Sequence, residues 1–425
     1  MSYPDTYYAR TLRETQSRPS LKGDIEADTV IIGAGLAGLT TALELVRAGQ
    51  KVVLLEQESV GFGASGRNGG FVSPGFATGS EQIARHAGLD AARQIHRLSI
   101  EGMDYVRSTI GTLSIEEAQL QAGIMSVLRY SDAASLQAYR NTLANTHGYE
   151  LEFLDTDKVR AVLHSQRYFQ ALRDPRAFHI HPLNYLRAIA REIERLGGVI
   201  LENSAVTSAE VDGAVKTIRT ASGSVRAATA VFTTGGYTGN AYPPLRRAYL
   251  PIATYVMVSE AAPDLIRSAI STTDAIGDNR RAGDYYRVVD GGKRLLWGGR
   301  ITTRAASTEG LVRELRREMT GTYPQLKDLK TELAWSGMMS YARHLMPQIG
   351  PVKPGVWVCT AFGGHGLNTT AIGGKVVAEG ILGISDRHRL FKPFGLVWAG
   401  GAAGLAVAQL TYWKLQAQDW WRERA

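Results

Sequence analysis

The feature that most constrains this 425-residue chain is a glycine triad, Gly33, Gly35 and Gly38, set in the run DTVIIGAGLAGLTTALELVRAGQKVVLLE. Ahead of the triad, DTVII is a short β-branched strand. Behind it, LAGLTTALELVRAG carries apolar residues at helical spacing and closes at Gly49, and KVVLLE is a second buried strand. Strand, helix and strand form one βαβ unit with G-x-G-x-x-G at its first turn. The first glycine permits the tight turn, the second lets backbone amides approach a pyrophosphate, and the third allows close helix packing. Leu36 and Ala37 lie in the first helical turn, whose N-terminal dipole faces the phosphate charge. Glu56 ends the second strand, placed to accept hydrogen bonds from a ribose, with Gln57 beside it. The motif specifies a dinucleotide and leaves NAD and FAD both open.

Composition narrows the setting. Hydrophobic residues at 44% and charged residues at 21% match an ordinary globular protein, so no long disordered region is expected, and the length suits two connected domains. The net charge of +8 comes from Lys and Arg scattered among acids, as in RAIAREIERL, without the basic stripe that a nucleic-acid groove needs. The single Cys359 excludes an internal disulfide, and MSYPDTYYARTLRE has no apolar core of a signal peptide; a cytoplasmic setting is the expectation. The nine histidines show neither HExxH nor pairing with cysteines, so no metal site is expected.

Along the chain, 1–27 reads as an arm with a Tyr3, Tyr7, Tyr8 cluster. Periodicity assigns 28–110, 181–240 and 341–390 to the dinucleotide domain, 111–180 and 241–340 to a substrate domain, and 391–425 to a helical tail. Residues 81–109 read as one helix. Alternating segments RAYLPIATYVMVSE, YYRVVDGG and RLLWGGR, around a helix at 308–320, predict an antiparallel sheet facing a ligand. VWVCTAF is the last dinucleotide-domain strand and runs into GGHGLNTTAIGGKVVAEGIL, a glycine turn opening a helix. The expected class is α/β, a Rossmann-like domain with a discontinuous substrate domain on an antiparallel sheet and a C-terminal helical tail. The apolar part of the tail, 394–410, is shorter than the ~20 residues that span hydrocarbon. It either packs on the protein or lies at a membrane interface, where Trp413, Lys414, Trp420, Trp421 and Arg422 suit a headgroup region.

GASGRNGGF after the second strand, AVFTTGGYTG, the late GGHGLNTT and the arm SYPDTYYA together resemble the D-amino-acid oxidase superfamily over nearly the whole chain. Its γ-glutamylputrescine oxidase branch is most similar, with glycine oxidase and monomeric sarcosine oxidase more distant. The resemblance implies FAD as the dinucleotide. It implies that Ser65, Arg67, Asn68, Gly69 and Gly70 lie along the flavin and its ribityl chain, Val206 near adenine and Gly235 near the pyrophosphate. Gly363, Gly364, His365, Gly366, Leu367, Asn368 and Thr369 would cap the isoalloxazine; a glycine turn at a helix N-terminus offers donors and positive dipole where the ring gains charge on reduction. Trp335, Met346 and Pro347 also match the family pattern. Some relatives bind FAD through cysteine, but Cys359 sits inside a buried strand, so non-covalent FAD is expected.

Such flavin enzymes take a hydride from the carbon beside a neutral amine, giving an imine that hydrolyses. His365 either tunes the charge at that amine or simply holds the turn. In sarcosine-oxidising relatives a lysine after the turn holds the substrate carboxylate; here the position is Asn368, which favours a small amine whose charged group lies farther away, such as a γ-glutamylated polyamine, or a neutral amine. Tyr286 and Arg300 are the substrate-side candidates, from a group with Tyr285, Arg287 and Trp297 that either cages the amine or packs across strands. Oxygen or a membrane quinone would take the electrons, an amino-acid dehydrogenase being the second enzyme reading, and a flavin-binding subunit without turnover the third.

Overall fold

The computed structural model describes residues 3–280, 283–303 and 308–424, the side chains of Arg300 and Thr308 excepted. Strand Val52–Leu55 is buried at every position and Gly23–Ile32 over its last four, as their unbroken apolar sequence requires. They pair in parallel, with helix Leu36–Arg47 crossing between them. Val199–Leu201 extends the sheet on one side; Gly223–Phe232 and Val356–Thr360 extend it on the other, all parallel, with Gln348–Lys353 closing that edge antiparallel. Helices Leu36–Arg47, Pro182–Arg195 and Leu367–Leu382 help to enclose this parallel sheet, the arrangement of a doubly wound nucleotide fold.

The second sheet runs Thr331–Tyr341, Leu250–Ser259, Arg294–Thr302, Tyr285–Val289, Ala275–Asp278, Gln121–Val127, Ala171–His179, Phe71–Val72. One ladder departs from the expected antiparallel order: Ala275–Asp278 lies parallel to Gln121–Val127. Distant chain segments meet there, so no hairpin dictates direction. One face of the sheet carries a closed core in which Tyr286 and Trp297 pack with Leu311, Leu315 and Met319 of helix Thr308–Thr322. The other face looks toward the carboxyl ends of the parallel strands.

Three boundaries differ from the sequence reading. The first strand begins at Gly23, inside the expected arm. The helix expected over 81–109 is two, Ser80–Ala87 and Leu89–Thr112, because Gly88 at φ +86° breaks the helical backbone. The tail helix starts only at Gly401 and ends at Arg422, after a 3₁₀ segment Arg387–Phe394 and a left-handed Gly400.

The tail packs on the body. Ile301 N–H donates to the Tyr412 hydroxyl at 3.1 Å, Thr303 N–H donates to Gln409 Oε1 at 3.1 Å, and Arg129 Nη2 pairs with Glu423 at 3.1 Å. Among the described residues no helix is long and apolar enough to cross a membrane. At the other end, Tyr8 is fully buried, donating to Asn68 O at 2.7 Å and accepting from Arg287 Nη2 at 3.1 Å.

Candidate active site

A cavity of about 580 Å³ opens over the carboxyl ends of the parallel strands and continues beneath the second sheet. Ile32, Glu56, Thr233 and Thr360, from four adjacent strands, mark the strand ends that form it. Crevices of this kind bind ligands because strand order reverses there and the loops diverge.

The glycine triad builds the wall. A Cβ at Gly38 would sit 2.0 Å from Gly33 O, and one at Gly33 would sit 2.9 Å from Thr233 O. Both glycines therefore serve backbone packing of helix against strand. Gly35 is freer, its nearest neighbour being Ser65 Oγ at 3.1 Å, and it borders the cavity. It is the N-cap of Leu36–Arg47 and provides no side-chain cap; Leu36 N–H instead donates to Ser65 Oγ at 3.0 Å. The Glu56 carboxylate accepts from Ala34 N–H at 2.7 Å and Glu58 N–H at 2.9 Å, and burial pushes its pKa up. Each oxygen retains a lone pair for a ribose hydroxyl.

The GASGRNGGF loop covers this floor. Asn68 turns inward, its Nδ2 donating to Ser65 O at 2.7 Å while its Oδ1 accepts from Gly70 N–H at 2.8 Å. Gly70, at φ +84°, has Ile180 O where a Cβ would be and does not line the cavity. Arg67 is buried, stacks 4.2 Å over the Phe62 ring with the Tyr3 side chain also beside its guanidinium, and spends one donor on Ser336 O at 3.3 Å; its Nε and Nη2 make no hydrogen bond of normal length. Two orphaned donors of a buried cation beside a phosphate-type helix N-terminus call for an anion.

Opposite lies the late glycine turn. A Cβ at Gly363 would fall 2.7 Å from the Tyr341 ring and 2.9 Å from Ala77 Cβ, so only glycine fits. Burial raises the Tyr341 hydroxyl to about 12, so it remains protonated beside Gly364. His365 borders the cavity, and burial lowers its pKa, keeping the imidazole neutral. Helix Leu367–Leu382 begins here without a side-chain cap, its N-terminal dipole facing the cavity.

Of the expected cofactor residues, Gly33, Gly35, Leu36, Ala37, Glu56, Gln57, Ser65, Arg67, Asn68, Gly69, Val206, Gly235, Gly363, Gly364, His365, Gly366, Leu367 and Asn368 all border this one cavity. Gly38, Gly70 and Thr369 stand behind its wall, Thr369 donating to His365 O. Two helix N-termini whose N-cap glycines leave amides and dipole facing the cavity, a guanidinium with unbonded donors and the Glu56 carboxylate fit FAD's diphosphate, ribose and ring.

The substrate-side expectations need correction. Tyr286 faces the closed core, fully buried, with its hydroxyl 2.7 Å from that of Tyr323 and donating to Tyr168 at 3.1 Å. Its ring stacks on Trp297 at 4.2 Å. The strand alternates as expected but with the opposite phase; both faces of this sheet are covered and both neighbours are tyrosine, so hydropathy does not distinguish them. Tyr285 is the one that borders the cavity, lodged between Gly69 and Gly298; register places it opposite Gly298, and the missing side chain admits the ring. The WGG run was the available signal. Arg287 donates to His179, Tyr8 and Ile180 O, and so pins structure. Asn368 borders the cavity but its amide donates to Ser99 O at 3.0 Å, tying two helices. The Arg300 side chain lies outside the described residues. Sequence reasoning also missed Asp278, Arg280 and Asp284, a cavity-lining cluster in which Arg280 Nη2 meets the two carboxylates at 2.6 Å and 2.8 Å.

A doubly wound domain and a sheet-roofed cavity with a dinucleotide cradle define a dinucleotide-binding protein with room for a second ligand. The chain belongs to the DAO family of FAD-dependent oxidoreductases, whose profile matches residues 28–380. It is 31% identical over 391 residues to the gamma-glutamylputrescine oxidoreductase of Escherichia coli K12, covering 92% of this chain and 91% of that protein. In fold it is similar to glycine oxidase from Geobacillus kaustophilus, with TM-score 0.73 at 18% identity, covering 88% and 99% of the two chains. L-amino acid deaminase from Proteus myxofaciens gives TM-score 0.72 at 17% identity, covering 91% and 96%. The protein is an FAD-dependent amine oxidoreductase.

Proposed function

We propose that this enzyme oxidises the C–N bond at the amine end of a substrate whose charged group lies several bonds away, of the γ-glutamylated polyamine type. The observation that carries this reading is the shape and chemistry of the cavity. Beyond the FAD cradle it reaches Asp278, Arg280 and Asp284; Arg280 is shared among Asp278, Asp284 and Glu318, so acids outnumber the cation and this end of the cavity favours a positively charged chain. The similarity to gamma-glutamylputrescine oxidoreductase supports the same reading.

Bound FAD supplies the hydride acceptor for the carbon beside the amine, and the resulting imine hydrolyses in water. The chain's own residues prepare the amine. Tyr285 and Ile301, with Phe71 against the Tyr285 ring at 5.6 Å, give the region an apolar wall that disfavours ammonium and raises the neutral, reactive fraction. Neutral His365 adds no competing charge and orders the turn through its carbonyl, which accepts from Thr369 Oγ1. FAD is held without a covalent bond in this reading, since Cys359 is buried and burial pushes its thiol far up. Oxygen is the proposed acceptor and the cytoplasm the proposed compartment.

Anaerobic mixing of the yellow protein with γ-glutamylated amines, free polyamines, N-methyl amino acids and D-amino acids, followed by air, tests the proposal. Bleaching fastest with a γ-glutamylated amine, and rapid recolouring in air, is expected. Preference for an α-amino acid would overturn the substrate class, and slow recolouring would overturn oxygen as acceptor.

A further inference from the structure

The tail helix Gly401–Arg422 buries polar residues and exposes much of its apolar surface. Its two buried positions, Gln409 and Asp419, are polar, and both face the body. Five of its large apolar side chains face solvent, Val407 at 62% exposure, Leu410 at 60%, Trp421 at 70%, and Trp413 and Trp420, while Leu405, Tyr412 and Leu415 are half-buried. Val407, Leu410 and Trp413 recur at three-residue spacing and Trp420 and Trp421 follow two turns on, so exposed apolar surface runs along the length of the helix. Trp398, in the segment leading to the helix, is 63% exposed as well. A soluble surface helix shows the reverse pattern, and exposed apolar surface of this kind marks a docking face.

The charges decide what docks. From residue 392 to 424 the exposed charged side chains are Lys392, Lys414, Arg422 and Arg424, all positive, whereas Glu423 is turned inward onto Arg129 and Asp419 is buried. Arg424 lies 3.8 Å over the Trp420 ring, joining cation and aromatic at one end of this surface. Tryptophans interleaved with cations on an apolar face match the boundary between acyl chains and anionic headgroups. A second copy fits poorly: two-fold pairing through this face would bring two sets of the same cations together. At 1.5 Å per residue the helix would lie about 33 Å along a bilayer surface without crossing it.

We infer that the tail helix docks the enzyme on an anionic lipid surface, with Val407, Leu410, Trp413, Trp420 and Trp421 in the headgroup boundary. Gln409, Tyr412 and Glu423 hold the helix on the protein from its other side, so docking needs no unfolding. The inference is independent of the substrate.

The test is co-sedimentation of the FAD-loaded enzyme with phosphatidylcholine vesicles and with vesicles containing one-quarter phosphatidylglycerol, tryptophan emission being read in parallel. Wild type is expected to bind the anionic vesicles at least tenfold more tightly, with a blue shift. Leu410→Glu with Trp413→Glu should weaken binding at least tenfold, and Lys414→Glu with Arg422→Glu should abolish the preference for anionic lipid; the second pair still decides the matter if the first misfolds. Both should keep the flavin spectrum and amine-driven bleaching. No binding by wild type at excess lipid, or binding indifferent to both pairs, overturns the inference. A wild-type dimer in solution that Leu410→Glu with Trp413→Glu converts to monomer, with no lipid binding, assigns the face to a second copy.

Discussion

Tyr285 and Tyr286 are adjacent, share a side chain, and should fail in different ways. Tyr286→Phe removes hydrogen bonds to two buried hydroxyls on the core side, so about 1–3 kcal/mol of stability should go while the KM for the amine stays put; a thermal melt beside steady-state kinetics checks this. Tyr285→Ala empties the cavity wall, and the KM should rise severalfold. Arg67→Met should weaken FAD about tenfold or more, the loss of one charge-assisted contact of about 1.5–3 kcal/mol, while the apoprotein melts no lower because its orphaned donors are gone. Fluorescence titration of apoprotein with FAD measures it; unchanged affinity would remove Arg67 from the cradle. Asn368→Lys should lower the melting temperature without creating a preference for α-carboxylates, because its amide bonds Ser99 O inside the helix pair and a lysine there buries a charge.

At the scale of elements, two histidines fasten the arm and the second sheet. His179 accepts at Nδ1 from Arg287 Nη1 at 2.9 Å, a group that only donates, and therefore carries its proton at Nε2, which donates to Thr273 O at 3.0 Å. His181 caps helix Pro182–Arg195 by accepting from Asn184 N–H at 3.1 Å, leaving Nε2 to meet the arm at Thr11 Oγ1 at 2.9 Å. Burial first, and Arg287 second, lower both to about 3. Because the folded values lie below the unfolded ~6.5, the unfolded chain binds more protons between them, so this stability is complete above pH 6.5 and lost as pH falls toward 3. The loss by pH 5 is roughly 2 kcal/mol per histidine. Limited proteolysis near residues 3–13 should accelerate at pH 5 relative to pH 8, and His181→Gln should flatten that dependence. Equal cleavage at both pH values would remove the histidines from the fastening.

For the whole molecule, the cofactor cradle joins two sheets: one wall comes from the parallel domain and the roof from the other. FAD should therefore stabilise the pair as a unit, by about 2.7 kcal/mol at one hundred times its Kd. A single melting transition that moves upward with added FAD is expected; two transitions, of which only one moves, would show that the sheets unfold separately. Glu423 ties the tail to this body, bonding Arg129 and approaching Arg280, which lines the cavity. Glu423→Gln should loosen the tail to protease and raise the KM for the amine modestly, leaving FAD affinity alone.

The nucleotide half was legible in the sequence because its signals are local: uniform apolar runs need burial on both faces, and Gly33 and Gly38 answer to each other and to the end of one adjacent strand. The break at Gly88 and the late start of the tail helix at Gly401 were missed for the same reason, since a glycine inside a periodic stretch reads as tolerated until its φ is known. The substrate side belonged to tertiary structure. Which of two neighbouring tyrosines meets the cavity depends on strand phase, and with both faces of the sheet covered, hydropathy carries no phase information; Gly298 across the ladder decided it. Asp278, Arg280 and Asp284 converge through a turn and a long-range wall, and ionic residues near one another in sequence look the same whether they line a cavity or face water. The tail's sequence identified an apolar, tryptophan-rich segment, and only packing decided that its polar residues, Gln409 and Asp419, would be the ones turned inward.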